Sequence, residues 1–218
     1  MMIQFIFNNL LFNPILIYSR LFYTLYIPCV NILDLSLIDH NTRAHSHVLS
    51  LIYSSIISLG SPVSIYMLLF NYYPLNAIAI NIYKFLYNFS ISYFCIDLIL
   101  GIQYYPKILK TNILTFGVHH IVYICILTYG KINNILPIFM VLIPFEIPTI
   151  FLSIGYIDNN YKNPSIFGIL FFIFRILYNI LIVWKMYTIH FGLCIFTLLT
   201  LCVHIYWFRS YVKKYILN

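Results

Sequence analysis

From Asp97 to His120 the chain reads DLILGIQYYPKILKTNILTFGVHH, with an acid at the end of one apolar stretch and two adjacent histidines inside the next. Each ionisable group inside a membrane span costs roughly 2.5–3.5 kcal/mol to insert, so such groups are rarely accidental. Glu146 in PFEIPT, Arg175 in FFIFRI and His204 in CVHIYW follow in later apolar stretches. A general base must titrate near the working pH, and imidazole does. His119 or His120 would be that base, or a transient nucleophile. Asp97 or Glu146 would orient the ring, and Arg175 would hold a carboxylate or a developing oxyanion. The candidate catalytic residues are therefore His119, His120, Asp97 and Glu146. Adjacent histidines point about 100° apart on a helix and are poor joint ligands for one ion, so no metal is expected. The five cysteines are scattered without CxxC or Cys/His spacing and read as buried free thiols.

Helical spacing gathers the polar residues into stripes. His47, Ser50, Ser54 and Ser58 share one face, and Ser90, Tyr93 and Asp97 share another. Thr115, His119 and Tyr123 follow, then Glu146, Thr149 and Ser153. Arg175, Tyr178 and Asn179 form the next group, and Thr197, Thr200 and His204 the last. The remaining faces are Ile, Leu and Phe, which suit lipid, so the stripes are expected to point inward around a shared polar chamber. Arg43, His47, Tyr93, Tyr178 and Arg175 are candidate substrate-binding residues in it. Two carboxylates beside one Arg leave a negative charge unmatched, which protonation of a carboxyl or charging of a histidine would remove.

Composition fixes the class of elements that must position these groups. Of 218 residues 62% are apolar and 8% charged, against roughly a quarter charged in soluble domains. A helical membrane protein is expected, since a span needs about 20 mostly apolar residues. The net charge of +7 sits mostly near span ends, where it meets anionic headgroups; nucleic-acid binding is not expected. The N-terminus lacks the basic region and cleavage site of a signal peptide. A first span is expected either at 2–19, ending at Arg20, or later and tolerating Arg20. A polar linker is expected at 31–43, then six spans near 44–70, 76–101, 112–130, 134–154, 165–187 and 190–210, with a break around Lys185. With seven spans, Arg43, Lys107, Lys110, Lys162, Arg209, Lys213 and Lys214 fall on one side. Only Lys131 and Lys185 fall clearly on the other, so the C-terminal side is expected to be cytosolic.

Five motifs occur in order: NTRAHSH at 41–47, YFCID at 93–97, the His119-His120 pair, FEIPTIF at 145–151 and FFIFRI at 171–176. Together they resemble the TLC domain shared by ceramide synthases, TRAM proteins and other lipid-related membrane proteins, over about 41–212. The resemblance implies an all-α membrane protein: a six-helix bundle around a polar cavity, with one extra N-terminal span. It divides the chain into an N-terminal span and linker at 1–40, the TLC-like domain at 41–212 and a short basic tail at 213–218. It also implies residence in the endoplasmic reticulum and the handling of long-chain acyl lipids. Ceramide synthases carry a His-Asp and a further Asp where this chain has PFEIPT, with Glu146 the only acid. That variant is closer to the non-synthase members linked to membrane lipid composition. The expected function is binding or handling of acyl lipids, with membrane lipids as partners and no cofactor. The alternative is an N-acyltransferase that uses acyl-CoA as co-substrate on a long-chain amine, with a His base.

Overall fold

Backbone amides inside lipid find no water, so long apolar runs must satisfy their hydrogen bonds within themselves. A computed structural model describes residues 13–36, 42–70, 76–104, 106–111, 113–133, 139–189 and 191–217, and every regular element among them is helical. The elements are α1 (Pro14–Ser36), α2 (Thr42–Ser58), α3 (Ser61–Phe70), α4 (Ala77–Tyr104) and α5 (Pro106–Thr111). A π-helical turn at Leu114–Val118 leads into α6 (His119–Ile132). A 3₁₀ segment, Met140–Glu146, leads into α7 (Ile147–Ile157). Next come α8 (Pro164–Phe171), a π segment at Phe172–Leu177, α9 (Tyr178–Ile189) and α10 (Phe191–Tyr215).

Among the described residues five helical stretches are long and apolar enough to cross a membrane: Pro14–Ile32, Ala77–Gln103, Met140–Ile157, Pro164–Thr188 and Phe191–Tyr215. The pair α2 and α3 makes a sixth if counted as one span, bent by 50°. The protein is an all-α membrane bundle.

Several boundaries differ from expectation. The first span is the later of the two placements, since α1 runs through Arg20, which is exposed. Residues 1–12 lie outside the described residues. Positions 31–36 of the expected linker continue α1, because ILDL keeps a helical rhythm that one acid does not interrupt. The span expected at 44–70 bends at Leu59-Gly60, where the helical ladder is broken. The break expected around Lys185 lies further on, since α9 carries Lys185 within it and ends at Ile189. The expected span at 112–130 holds an apolar helix at Phe116–Ile132 that is shorter than the others. Lys213 and Lys214 form the last turn of α10 rather than a free tail, and cations there complement the helix dipole.

The chain forms two compact units, one of residues 1–53 and 74–139, the other of 54–73 and 140–218. In the first, α1 packs on α4 through Phe22, fully buried, whose ring lies 4.7 Å from Phe89. Tyr53 of α2 stacks on Tyr93 of α4, with centroids 4.0 Å apart and planes 4° from parallel. Their hydroxyls bond crosswise: Tyr53 donates to Ser90 Oγ at 3.0 Å, and Tyr93 Oη lies 2.9 Å from Ser50 Oγ. The Tyr87 hydroxyl donates to the Leu127 carbonyl and ties α4 to α6. Ser90 and Ser92 also donate to backbone carbonyls one turn back, those of Leu86 and Asn88.

In the second unit Asp158 and Asn163 set the α7–α8 turn. Asp158 Oδ1 accepts from Asn160 N at 2.9 Å, and Asn163 Oδ1 caps α8 by accepting from Ile166 N at 3.0 Å, with Pro164 opening the helix. Gly168 on α8 faces Tyr211 of α10 so closely that a Cβ there would overlap the Tyr211 hydroxyl and ring. The ring cannot swing away freely, since its hydroxyl donates to Pro164 O at 2.8 Å and it packs against Phe167 and Phe208. Gly168→Ala is therefore expected to cost about 1–3 kcal/mol, the usual penalty of overpacking. Thermal unfolding in detergent checks this, and Tyr211→Ala in the same chain should remove most of the added cost.

Candidate functional site

The first cluster lies in the unit of residues 1–53 and 74–139. Asp97, fully buried on α4, brings Oδ2 to 3.0 Å from His120 Nε2 on α6. No well-aligned hydrogen bond joins these two atoms, and the contact is an ion pair only when His120 is protonated. The other ring nitrogen, Nδ1, is 2.6 Å from the Phe116 carbonyl. A carbonyl only accepts, so Nδ1 carries a proton. Rings of Phe94, Phe116 and Tyr93 stand 5.3, 4.5 and 5.9 Å from the His120 ring and shield the pair from water.

The π turn explains how the pair forms. It widens the helix by one residue just before His119, which turns the following residues relative to those before it. His120 is buried and faces Asp97, whereas His119 is partly buried with its ring 4.5 Å from Tyr123 and 6.2 Å from Phe94.

The second cluster lies in the unit of residues 54–73 and 140–218 and centres on Arg175. Its Nε donates to the Phe145 carbonyl at 2.9 Å and its Nη2 to Thr149 Oγ1 at 2.8 Å. Glu146 Oε2 is 4.0 Å from Nη2, at the outer limit of an ion pair. The guanidinium also lies 5.5 Å from the Phe171 ring and 6.0 Å from the Trp207 ring. His204 Nδ1 is 3.0 Å from the Arg175 carbonyl and 3.3 Å from Asn179 Nδ2. Here too the local backbone is irregular: Arg175 sits in a π segment, and Glu146 ends a 3₁₀ segment containing Pro144. Irregular backbone inside a span leaves carbonyls unclaimed, and the arginine claims one of them.

The acid, imidazole and guanidinium groups foreseen from sequence thus fall into two sets, Asp97 with His120 and Glu146 with Arg175. Each of these acids faces a basic group within its own unit, His120 at 3.0 Å from Asp97 and Arg175 at 4.0 Å from Glu146. Tyr93 is buried against His120 and Tyr178 against Phe145 at 6.1 Å, and His47 is partly buried on α2. The side chains of Arg43 and Thr115 lie outside the described residues. Sequence reasoning missed the carbonyls of Phe116 and Phe145, which carry no side-chain signal. It also passed over Trp207, three residues beyond His204 on the same helical face.

The model of the TLC domain family matches residues 40–213. The chain belongs to the TLC domain family. The matched region takes in both polar clusters of the TLC domain and all but the first of its membrane-crossing helices. No curated protein and no solved structure matches the chain.

Proposed function

We propose that this TLC domain protein binds long-chain acyl lipids within the membrane and so influences membrane lipid composition. The observation that carries the reading is the Asp97–His120 pair, held in an aromatic surround inside an apolar helical unit. Such a pair gives a lipid's polar end a partner where the surrounding faces accept only chains. The pair suits binding better than base catalysis, because the Phe116 carbonyl holds Nδ1 of His120 and the Asp97 carboxylate stands in front of Nε2. Acyl transfer from acyl-CoA to a long-chain amine would have to use His119, or separate His120 from Asp97 first.

Mass spectrometry of lipids retained by the purified protein tests this reading. Wild type is expected to carry acyl lipids, and Asp97→Asn is expected to carry severalfold less while remaining folded. A protein that retains no lipid sinks the proposal. Microsomes given labelled acyl-CoA and sphingoid base are expected to make the same product with wild type and with His119→Ala/His120→Ala. A loss of product in the variant would instead favour the transferase.

An endoplasmic reticulum location with a cytosolic C-terminus is part of the same proposal. It is supported by the family and by the excess of Lys and Arg on the side that includes Lys213 and Lys214. Tags on each terminus, probed by protease in sealed microsomes, are expected to show the C-terminal tag cut.

A further inference from the structure

A cavity of about 230 Å³ lies within the second unit, where the α7–α8 turn meets the C-terminal end of α10. None of the groups in the two buried clusters lines it. One wall is apolar, made by Phe151, Leu152 and Phe167; the other carries Lys162, Lys214 and Tyr215. Both lysines reach the same ring, with Nζ of Lys162 5.9 Å and Nζ of Lys214 5.1 Å from the Tyr215 centroid. Among the described residues neither amine has a carboxylate partner, and the acid of the turn, Asp158, accepts from Asn160 N instead.

The turn is built to bring Lys162 there. Gly155 on α7 lets the Lys162 backbone pack against the helix, and a Cβ at 155 would stand 3.2 Å from Lys162 Cα. The cavity also lies at a defined depth, beside the start of the Pro164–Thr188 span and the end of the Phe191–Tyr215 span. That is the level of lipid headgroups, where Lys and Tyr are favoured. Its volume is below the roughly 300–1,000 Å³ of sites that enclose a drug-sized ligand, so it suits a headgroup and the start of a chain, not a whole lipid.

We propose that this cavity holds an anionic glycerophospholipid, with its phosphate between Lys162 and Lys214 and the start of one acyl chain on Phe151 and Phe167. Two cations with no counter-charge select the phosphate, and the apolar wall selects a lipid over a soluble anion. The site goes beyond the lipid binding proposed at Asp97 and His120, and does not depend on it.

Native mass spectrometry of the full-length protein in detergent tests the site, with dioctanoyl phosphatidic acid and dioctanoyl phosphatidylcholine as probes. Wild type is expected to retain the acid over the choline lipid. Lys162→Gln/Lys214→Gln is expected to weaken retention of the acid by about tenfold or more, each lysine near a membrane surface contributing comparably. Both positions are exposed, so the fold should survive, and Lys131→Gln should bind as wild type does. Gly155→Val offers a second route, since it displaces Lys162 without removing a charge. Asp97→Asn is expected to keep this binding, which separates failure here from failure at the buried pair. Equal retention of the two lipids, full retention by the double lysine variant, or displacement by inorganic phosphate alone would each overturn the proposal.

Discussion

Asp97→Leu and His120→Phe should each destabilise the detergent-solubilised protein strongly, by about 3–5 kcal/mol, whereas the double variant should cost no more than either alone. The reason is the asymmetry of a buried pair: removing one partner strands the other, while removing both strands neither. Asp97 is fully buried and His120 is 5% exposed, so water cannot take the place of the missing partner. Phenylalanine keeps the ring contacts with Phe94 and Phe116 and isolates the electrostatic loss from packing. It also leaves the Phe116 carbonyl without its donor, which adds to the cost of that single variant. Circular-dichroism melts of the four proteins give the coupling energy directly. Additive losses would show that the two groups are neighbours without being partners.

The second large effect concerns Arg175. Arg175→Met should cost about 1.5–3 kcal/mol for each of its two charge-assisted bonds, to Phe145 O and Thr149 Oγ1. Glu146→Gln should cost less than Arg175→Met, because 4.0 Å is a loose contact and glutamine keeps a polar group beside the guanidinium. Arg175→Lys should behave nearly as badly as Arg175→Met, since a point ammonium cannot reach both acceptors as the planar fork does. Thermal unfolding of the three variants orders them. The ranking distinguishes a backbone staple from an ion pair, and a Glu146→Gln loss as large as that of Arg175→Met would reverse the assignment.

The two variants act through different links. Asp97 and His120 are side chains on regular parts of α4 and α6, and their meeting depends on the π turn that precedes His119. Arg175 acts on main chain, closing the irregular stretch that ends at Glu146.

Much of the molecule was legible beforehand because insertion into lipid is a property of composition. Apolar stretches of 18 residues or more must be helical, and polar stripes must turn from lipid and bond across helices, as Ser50 does with Tyr93 and Ser90 with Tyr53. Family membership followed from motif order for the same reason: ionisable groups in spans are too costly to recur by chance. Helix ends were less legible, since the α1 terminus and the end of α9 depend on packing and not on an obvious breaker.

Tertiary structure alone decided which acid meets which base. Asp97 and Glu146 are both carboxylates in apolar stretches, and nothing in spacing assigns His120 to the first and Arg175 to the second. A single π insertion turns a helix face by the width of one residue, and the sequence around Phe116 and Phe172 carries no mark of it. Sequence determines what must be hidden from lipid; the backbone's local departures from the regular helix determine where each hidden group points.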